Sequence, residues 1–148
     1  MTPGQIDDYY MQMAIREARR AAEIDEIPVG AILVSGNRII GRGHNLTETL
    51  NDVTAHAEMQ AITAGEGARG AKYLADATLY VTLEPCIMCA GACAWAQIGR
   101  LVYGAPDPKR GFSLAGGSIL HPKTQVTSGI LSEECQHMMA SFFKNLRR

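Results

Sequence analysis

The sequence predicts an α/β fold with a layered sheet. Short β-prone runs alternate with helical segments along most of the chain, which is the pattern of layered α/β proteins. The chain has 148 residues and is 47% hydrophobic, enough for one domain with a substantial core. It shows neither an internal repeat nor a linker, so we expect residues 1–148 to form a single domain.

The first elements are a helix and a hairpin. Apolar residues recur at helical spacing between arginines, which predicts an amphipathic helix over residues 7–24. Its apolar stripe consists of Met11, Ile15, Ala18 and Ala22. The runs "PVGAILV" (28–34) and "RIIGRG" (38–43) flank the turn signal "SGN", and therefore predict two paired strands.

The middle of the chain predicts two helices and two strands. Thr54 is the expected N-cap of a helix through "AHAEMQAITAG" (55–65). The run "ATLYVTL" (77–83) is the most β-prone in the chain, and its apolar composition indicates a central strand buried on both faces. An apolar helix, "CIMCAGACAWAQI" (86–98), then leads into the short strand "RLVYG" (100–104).

The C-terminal part predicts one more strand and a closing helix. A Gly/Pro-rich segment (105–122) precedes the short β run "TQVTSG" (124–129). Ser132 is expected to cap the last helix, and Glu133 and Glu134 suit its first turn because they face the positive end of the helix dipole. Its predicted buried stripe consists of Cys135, Met138, Met139, Phe142 and Leu146.

Charge is unevenly distributed, although the formal net charge is only −1. Residues 1–96 contain 7 basic and 12 acidic side chains, whereas residues 97–148 contain 7 basic and 3 acidic ones. The C-terminal third is therefore where a phosphate backbone would be favoured, with an ordinary solvated surface as the alternative.

Cysteine usage indicates a metal site or a catalytic thiol. The first residues lack the apolar stretch of a secretory signal, and no run of about 18 apolar residues occurs, so we expect a soluble cytoplasmic protein. Disulfides rarely persist in that compartment. Three of the four cysteines nevertheless lie within "EPCIMCAGAC" (84–93), and such clustered thiols point to metal binding or catalysis.

Two predicted helix N-termini carry the candidate ligands. Cys86 and Cys89 are three residues apart in the first turn of one helix, where the helix dipole stabilises thiolates. His56 and Glu58 lie in the first turn of the preceding helix, and a spacing of two residues can serve one site only at a helix end. Two thiolates and one imidazole match a catalytic zinc site whose fourth position holds water. Glu58 is then left as a base.

Other interpretations of the cysteines stay open. Cys93 or Cys135 could close the site as a fourth ligand, although each lies on an apolar helix face and is expected to pack in the core. A zinc-stabilised binding module without activity and a thiol redox protein using Cys86 and Cys89 are further alternatives. The remaining histidines have no partner at ligand spacing and are expected to be structural or on the surface: His44, His121 and His137.

The motif pair resembles a known enzyme family. "HAE" at 56–58, followed by "PCIMC" at 85–89, is similar to the signature of zinc deaminases of the cytidine-deaminase superfamily. Within it, "TAHAE" and "TLYVTLEPCIMCAGA" look like the bacterial tRNA adenosine deaminases, from about residue 8 to the closing "FFKNLR". The resemblance implies a three-layer α/β/α fold with a five-stranded mixed sheet, one zinc ion per chain and a homodimer whose partner completes the RNA site. It also implies hydrolysis of the wobble adenosine of a tRNA anticodon to inosine, with release of ammonia.

The resemblance also assigns the catalytic residues. His56, Cys86 and Cys89 match the zinc ligands, and Glu58 matches the proton shuttle. The backbone N–H groups of Ala57 and Cys86 are expected to help hold the base and the developing charge.

Substrate contacts are implied at further positions. Asn45 matches the asparagine that hydrogen-bonds the flipped base, and Pro28 and Val29 are expected to wall the pocket. Asp107 and Lys109 match the loop that contacts the nucleotide before the target. The C-terminal helix residues expected to meet the anticodon loop are Phe143, Lys144 and Arg147.

The chain departs from the family pattern outside the catalytic centre. Asn45 is followed by "LTETL", Val53 replaces a commoner proline, and "FSLAGGSILHPKT" (112–124) follows Gly111. These differences concern the RNA contacts, so a free-base deaminase acting on guanine or cytosine remains the alternative. In that alternative, the segment "GFSLAGG" (111–117) is a candidate lid over a small pocket.

Overall fold

The computed structural model describes residues 1–146, so Arg147, a predicted RNA contact, lies outside the described residues. The strands are β1 (Gly30–Ser35), β2 (Arg38–His44), β3 (Ala77–Leu83), β4 (Arg100–Ala105) and β5 (Gln125–Ser128). The helices are α1 (Pro3–Glu23), α2 (Ala57–Arg69), α3 (Ile87–Ala96) and α4 (Ser132–Leu146), with a 3₁₀ turn at Phe112–Ala115. Within residues 1–146 no helix combines the length and the apolar character needed to cross a bilayer.

The five strands form one mixed sheet in the order β2-β1-β3-β4-β5. β1 pairs antiparallel with both β2 and β3, whereas β3, β4 and β5 run parallel. The predicted five-stranded mixed sheet is confirmed. β3 is its central strand, as the apolar composition of residues 77–83 predicts.

The helices cover both faces of the sheet, which confirms the three-layer fold. On one face, Leu79 and Val81 of β3 pack in a core with residues of α2 and α3. On the other face, Tyr80 packs with α1 and with Cys135 of α4. Because successive strand residues point to opposite faces, β3 contributes to both cores.

The starts of α1, α2 and α4 differ from the predictions. α4 begins at Ser132, so this residue is the first of the helix and not its N-cap. α1 begins at Pro3 and not at residue 7, because Thr2 and Gln5 form a capping box and Pro3 is suited to the first turn. α2 begins at Ala57 with His56 as its N-cap, so the predicted cap at Thr54 is wrong. The backbone N–H and the hydroxyl of Thr54 instead donate to the Asp52 carboxylate, at 2.8 and 2.7 Å.

The predicted stripe of α4 is only partly buried. Cys135 is fully buried, and Met138 packs at the edge of the core. Leu146 is 63% exposed, so its predicted burial is wrong. Phe143 is also exposed, so burial on α4 decreases toward its last turn.

Candidate active site

The predicted ligand residues meet where two helices begin. His56 is the N-cap of α2 and Cys86 is the N-cap of α3, while Cys89 lies in the first turn of α3. The His56 Nδ1 atom lies 3.7 Å from the Cys86 Sγ atom and 3.4 Å from the Cys89 Sγ atom. The three ligand atoms all lie within 4.8 Å of one another.

These distances fit a zinc ion. A tetrahedral zinc with ordinary Zn–S and Zn–N bond lengths places sulfur and nitrogen ligands about 3.6 Å apart. One imidazole and two thiols also match the donor set of an open catalytic site. Cys93, the suggested fourth ligand, is fully buried in the core on the α2 and α3 face and is not part of this cluster.

A hydrogen bond between the two thiols favours the thiolate form of Cys86, which is the form that binds a metal. A hydrogen bond with Cys89 lowers the pKa of the Cys86 thiol to about 3; burial opposes the shift and His56 adds to it. The same hydrogen bond raises the pKa of the Cys89 thiol, and burial adds to that increase. One thiolate is therefore already favoured, and a divalent cation would displace the remaining proton.

Close packing on β2 fixes the start of α2. A Cβ atom at Gly43 would overlap the carbonyl oxygen of Ala57, so only glycine lets the first turn of α2 lie directly on the strand. The side-chain amide of Gln60 donates to the carbonyl of His44 at 2.7 Å and ties α2 to the end of the strand. The first turn of α2, directly after His56, is thereby fixed on the end of β2.

Glu58 lies beside the ligands with an unused acceptor. Its side chain is buried, and within residues 1–146 its Oε1 atom has no hydrogen-bond partner. Such an atom in a protein interior is costly unless a ligand or water satisfies it. Burial raises the pKa of the Glu58 carboxyl to about 7, and the charge of a bound cation would lower it again.

A pocket of about 170 Å³ opens onto this centre. It is smaller than the roughly 300–1,000 Å³ of typical drug-sized sites, so it suits a single planar base. Its lining residues are Ile27, Val29, Asn45, Thr47, His56, Ala57, Glu58, Leu83, Glu84, Cys86, Asp107 and Arg110. Pro28, the other predicted wall residue, is buried between two lining residues and does not line the pocket itself.

Asn45 is held by both backbone and side chain. Its backbone N–H donates to the Val29 carbonyl at 3.1 Å, and its side-chain amide lies 3.4 Å from the Thr47 hydroxyl. Ala57 is the first residue of α2, where backbone N–H groups have no partner inside the helix. The pocket therefore combines an amide group, a helix N-terminus and a buried carboxylate.

A second cavity of about 270 Å³ adjoins the first, and both are lined by Leu83 and Asp107. It lies between the segment after β4 and helix α4, and it is lined by Lys109 and Phe143. The Phe143 ring is 37% exposed. Lys144 is exposed in the last turn of α4 and lines neither cavity.

Sequence reasoning did not identify several pocket residues. Ile27, Thr47 and Leu83 are ordinary loop and strand residues, whose place in the pocket depends on tertiary structure. Glu84 had a usable signal, because it is a carboxylate that directly follows the apolar run 77–83 and directly precedes "PC". In the described chain, the unusual segment 112–124 does not line this pocket. Phe112 instead packs edge-on against Tyr103.

Comparison with known proteins identifies the family. The zinc-binding region of cytidine and deoxycytidylate deaminases matches residues 5–105, which include all three candidate ligands. The chain belongs to this deaminase family. The family binds zinc, and His56, Cys86 and Cys89 are placed to hold the ion.

The most informative relatives act on nucleic acid or on a free base. A tRNA-specific adenosine deaminase of Bacillus subtilis (strain 168) is 46% identical, over 96% of this chain and 91% of that protein. A solved structure from a study of A-to-I editing by tRNA:A34 deaminases superposes with a TM-score of 0.81 and 45% identity, covering 88% and 98% of the two chains. The X-ray structure of a Bacillus subtilis guanine deaminase superposes with a TM-score of 0.63 and 38% identity, covering 66% and 63%.

Proposed function

We propose that the protein hydrolyses the wobble adenosine of a tRNA anticodon to inosine and releases ammonia. Relatives that match almost the whole chain at 46% and 45% identity are named tRNA-specific adenosine deaminases. The guanine deaminase is similar over about two thirds of the chain.

The adjoining second cavity is the observation that most strongly supports an RNA substrate. A free base needs one small closed pocket, whereas an anticodon loop must place neighbouring nucleotides next to the base in the pocket. The second cavity offers an aromatic ring at Phe143 and a cation at Lys109, beside the wall that both cavities share. Aromatic rings stack on unpaired bases, and lysines attract phosphates.

The described part of the chain gives no corresponding support to the free-base alternative, which needs a lid over the base pocket. It assigns the role of a lid to residues 111–117, but this stretch includes a 3₁₀ turn that packs against α3. Within residues 1–146 the stretch contributes nothing to the lining of the base pocket. The lining of the pocket therefore gives no support to a lid formed by residues 111–117.

In the proposed reaction, zinc would activate the water and Glu58 transfers the protons. When bound by His56, Cys86 and Cys89, zinc would act as a Lewis acid and would lower the pKa of the attacking water toward neutral pH. The Glu58 carboxylate takes the proton of the attacking water and delivers it to ring N1 as the C6–O bond forms. It then takes the proton of the new C6 hydroxyl group and delivers it to the amine, so that the C6–N bond breaks, the C6 carbonyl of inosine forms, and ammonia leaves.

The remaining residues bind and orient the base. The Asn45 amide can pair with its polar edge, and Val29 supplies an apolar wall. The N–H of Ala57, at the positive end of α2, favours the negative charge that develops on the ring. Because these groups are fixed before the substrate arrives, they need not reorganise during the reaction.

A homodimer is part of the proposal. Helix α3 has no charged residue, and it exposes Ile87 by 56% and Trp95 by 85%. Leu114 of the adjoining 3₁₀ turn is 60% exposed. Uncharged apolar surface of this kind is typical of an interface core, and a second copy of the chain is the partner that the family resemblance implies.

The RNA assignment is tested with Lys109→Ala and Lys144→Ala. An anticodon stem-loop with adenosine at the wobble position is the substrate, and the rate at low substrate concentration is measured against salt. Each lost contact should flatten the log–log salt slope by about 0.7, the value for a single-stranded phosphate contact. Lys72→Ala, an exposed lysine beside Tyr73 and outside both cavities, is the control. Equal slopes in all variants would contradict the RNA assignment.

A further inference from the structure

Glu84 is a buried carboxylate in the wall of the base pocket, close in sequence to the metal ligand Cys86. It is 4% exposed and lies two residues before Cys86. Both of its oxygens accept backbone hydrogen bonds: Oε1 from the N–H of Asp107 at 3.1 Å, and Oε2 from the N–H of Ser113 at 3.0 Å. One side chain therefore holds both ends of the loop that runs from residue 107 to residue 113.

The loop is ordered from within by Asp107. Its carboxylate accepts the N–H groups of Lys109 and Arg110, both at 3.0 Å. Its carbonyl accepts the N–H of Gly111 at 3.0 Å. Because Glu84 holds the backbone of Asp107, it fixes the origin of this local network.

The loop is also attached directly to the metal-binding segment. The N–H of Phe112 donates to the Pro85 carbonyl at 2.9 Å. Gly111 and Cys86 form an isolated antiparallel bridge. The backbone next to one zinc ligand is thus shared with the loop that carries Asp107 and Arg110 into the pocket wall.

Gly111 matters for steric reasons and not for its backbone conformation. Its φ angle is −61°, which any residue adopts. A Cβ atom there would overlap the carboxyl group of Glu84. The glycine therefore makes room for the carboxylate to sit directly on the loop backbone.

We propose that Glu84 is a positioning residue for substrate binding. It holds the 107–113 loop so that Asp107 and Arg110 stand in the wall of the base pocket, while zinc is held by other residues. The proposal rests on the proposed function only for the choice of RNA as the substrate.

The role requires a carboxylate in particular. Two N–H donors face two acceptor oxygens, and an ionised group makes the stronger hydrogen bonds. Glutamine has nearly the same shape but offers one acceptor and one NH₂ donor. In Glu84→Gln one loop N–H must therefore face another donor, and that end of the loop is released.

The first test needs no substrate. Arg110 is exposed in the middle of the loop, so trypsin can cut after it once the loop opens. We expect Glu84→Gln to be cut after Arg110 about tenfold faster than the parent, since cleavage follows the population of the open loop. Asp7→Asn is the matched control. It is the same chemical change at a buried carboxylate whose partners, Tyr80 and Arg100, lie outside the base pocket.

The second test separates binding from chemistry. With the stem-loop substrate, Glu84→Gln should raise KM at least about tenfold, the lower end of the range for one charge-assisted hydrogen bond, with kcat changed by less than about threefold. Zinc content should equal that of the parent. Gly111→Ala should show the same KM effect, and Gly67→Ala, whose added Cβ meets open space, should not.

The outcomes are distinguishable. If Glu84→Gln and Gly111→Ala match their controls in both cleavage and KM, the positioning role is overturned. If they lose zinc, Glu84 supports the metal site and the proposal is likewise overturned. A parent enzyme inactive on the stem-loop would reject the proposed function, whereas the cleavage comparison would still decide whether Glu84 holds the loop.

Discussion

His56 and Cys86 occupy equivalent positions in two different helices, and their Nδ1 and Sγ atoms lie 3.7 Å apart. Each is the N-cap of its helix, and neither side chain makes the usual capping hydrogen bond. Both are therefore free to bind a metal, and the positive ends of both helices point at the same place. This arrangement explains why His56 and Glu58, two residues apart, can face one site.

Zinc content should distinguish an open site from a closed one. We expect Cys93→Ala to retain about one zinc ion per chain, because Cys93 packs in the core and is not in the ligand cluster. Cys89→Ala should lose most of its zinc. Elemental analysis after dialysis against a weak chelator measures both variants. Loss of zinc from Cys93→Ala would mean that four protein ligands close the site, leaving no position for water.

Glu58→Ala should abolish deaminase activity without changing zinc content or stability. Glu58 is proposed to carry protons and not to bind the ion, so the variant should keep its zinc and its melting temperature. Deaminase activity should fall by at least about a hundredfold, as expected when a general acid and base is removed. Activity within tenfold of the parent would exclude Glu58 from the proposed mechanism.

Acid should weaken the contact between α1 and the sheet. Hydrogen bonds from Arg100 hold the pKa of the Asp7 carboxyl below its usual value; burial opposes the shift, and the Tyr80 hydroxyl adds to the lowering. A depressed carboxyl pKa stabilises the fold above the unfolded value of about 3.9, and this stability is lost as the pH falls through the lower folded value.

Asp7→Asn tests this contribution. At neutral pH the free energy of unfolding should fall by about 2–3 kcal/mol, because Arg100 and Tyr80 lose a buried charged partner. Between about pH 5 and about pH 3, the parent should lose more stability than the variant does. Denaturant unfolding at several pH values measures the difference. Parallel pH profiles would show that Asp7 does not titrate with folding.

Trp95→Arg should convert the proposed dimer to a monomer. The exposed indole would lie in a desolvated interface, where an arginine without a partner is costly. Tyr73→Arg is the control, because Tyr73 is also an exposed aromatic residue but lies outside α3. Sedimentation equilibrium of the parent and both variants gives the masses. A monomeric parent would reject the dimer, and a Trp95→Arg variant that stays dimeric would place the interface elsewhere.

Elements with a strong local signal were predictable from the sequence. Residues 77–83 were predicted as the central strand, and β3 has the same bounds. The start of α2 was predicted at the wrong residue, because threonine is a common cap and histidine is not. The long-range loop contacts of Glu84 could not be predicted, since they depend on how residues 107–113 fold back onto the strand end.

In the candidate site, too, features with a local sequence signal were predictable and features that depend on long-range contacts were not. His56, Cys86 and Cys89 could be identified because ligand type and spacing constrain a zinc site strongly. The pocket wall could not be predicted, because Ile27 and Leu83 carry no chemical signal in the sequence. They are brought together only by the fold.

Ammonia release from a panel of substrates tests the proposed function most directly. The panel contains an anticodon stem-loop with wobble adenosine, the same stem-loop with guanosine at that position, free adenosine, guanine and cytosine. We expect rapid turnover of the adenosine stem-loop only, with one inosine formed at the wobble position. Rapid turnover of guanine or cytosine with the adenosine stem-loop inert would contradict the tRNA assignment and favour a free-base deaminase.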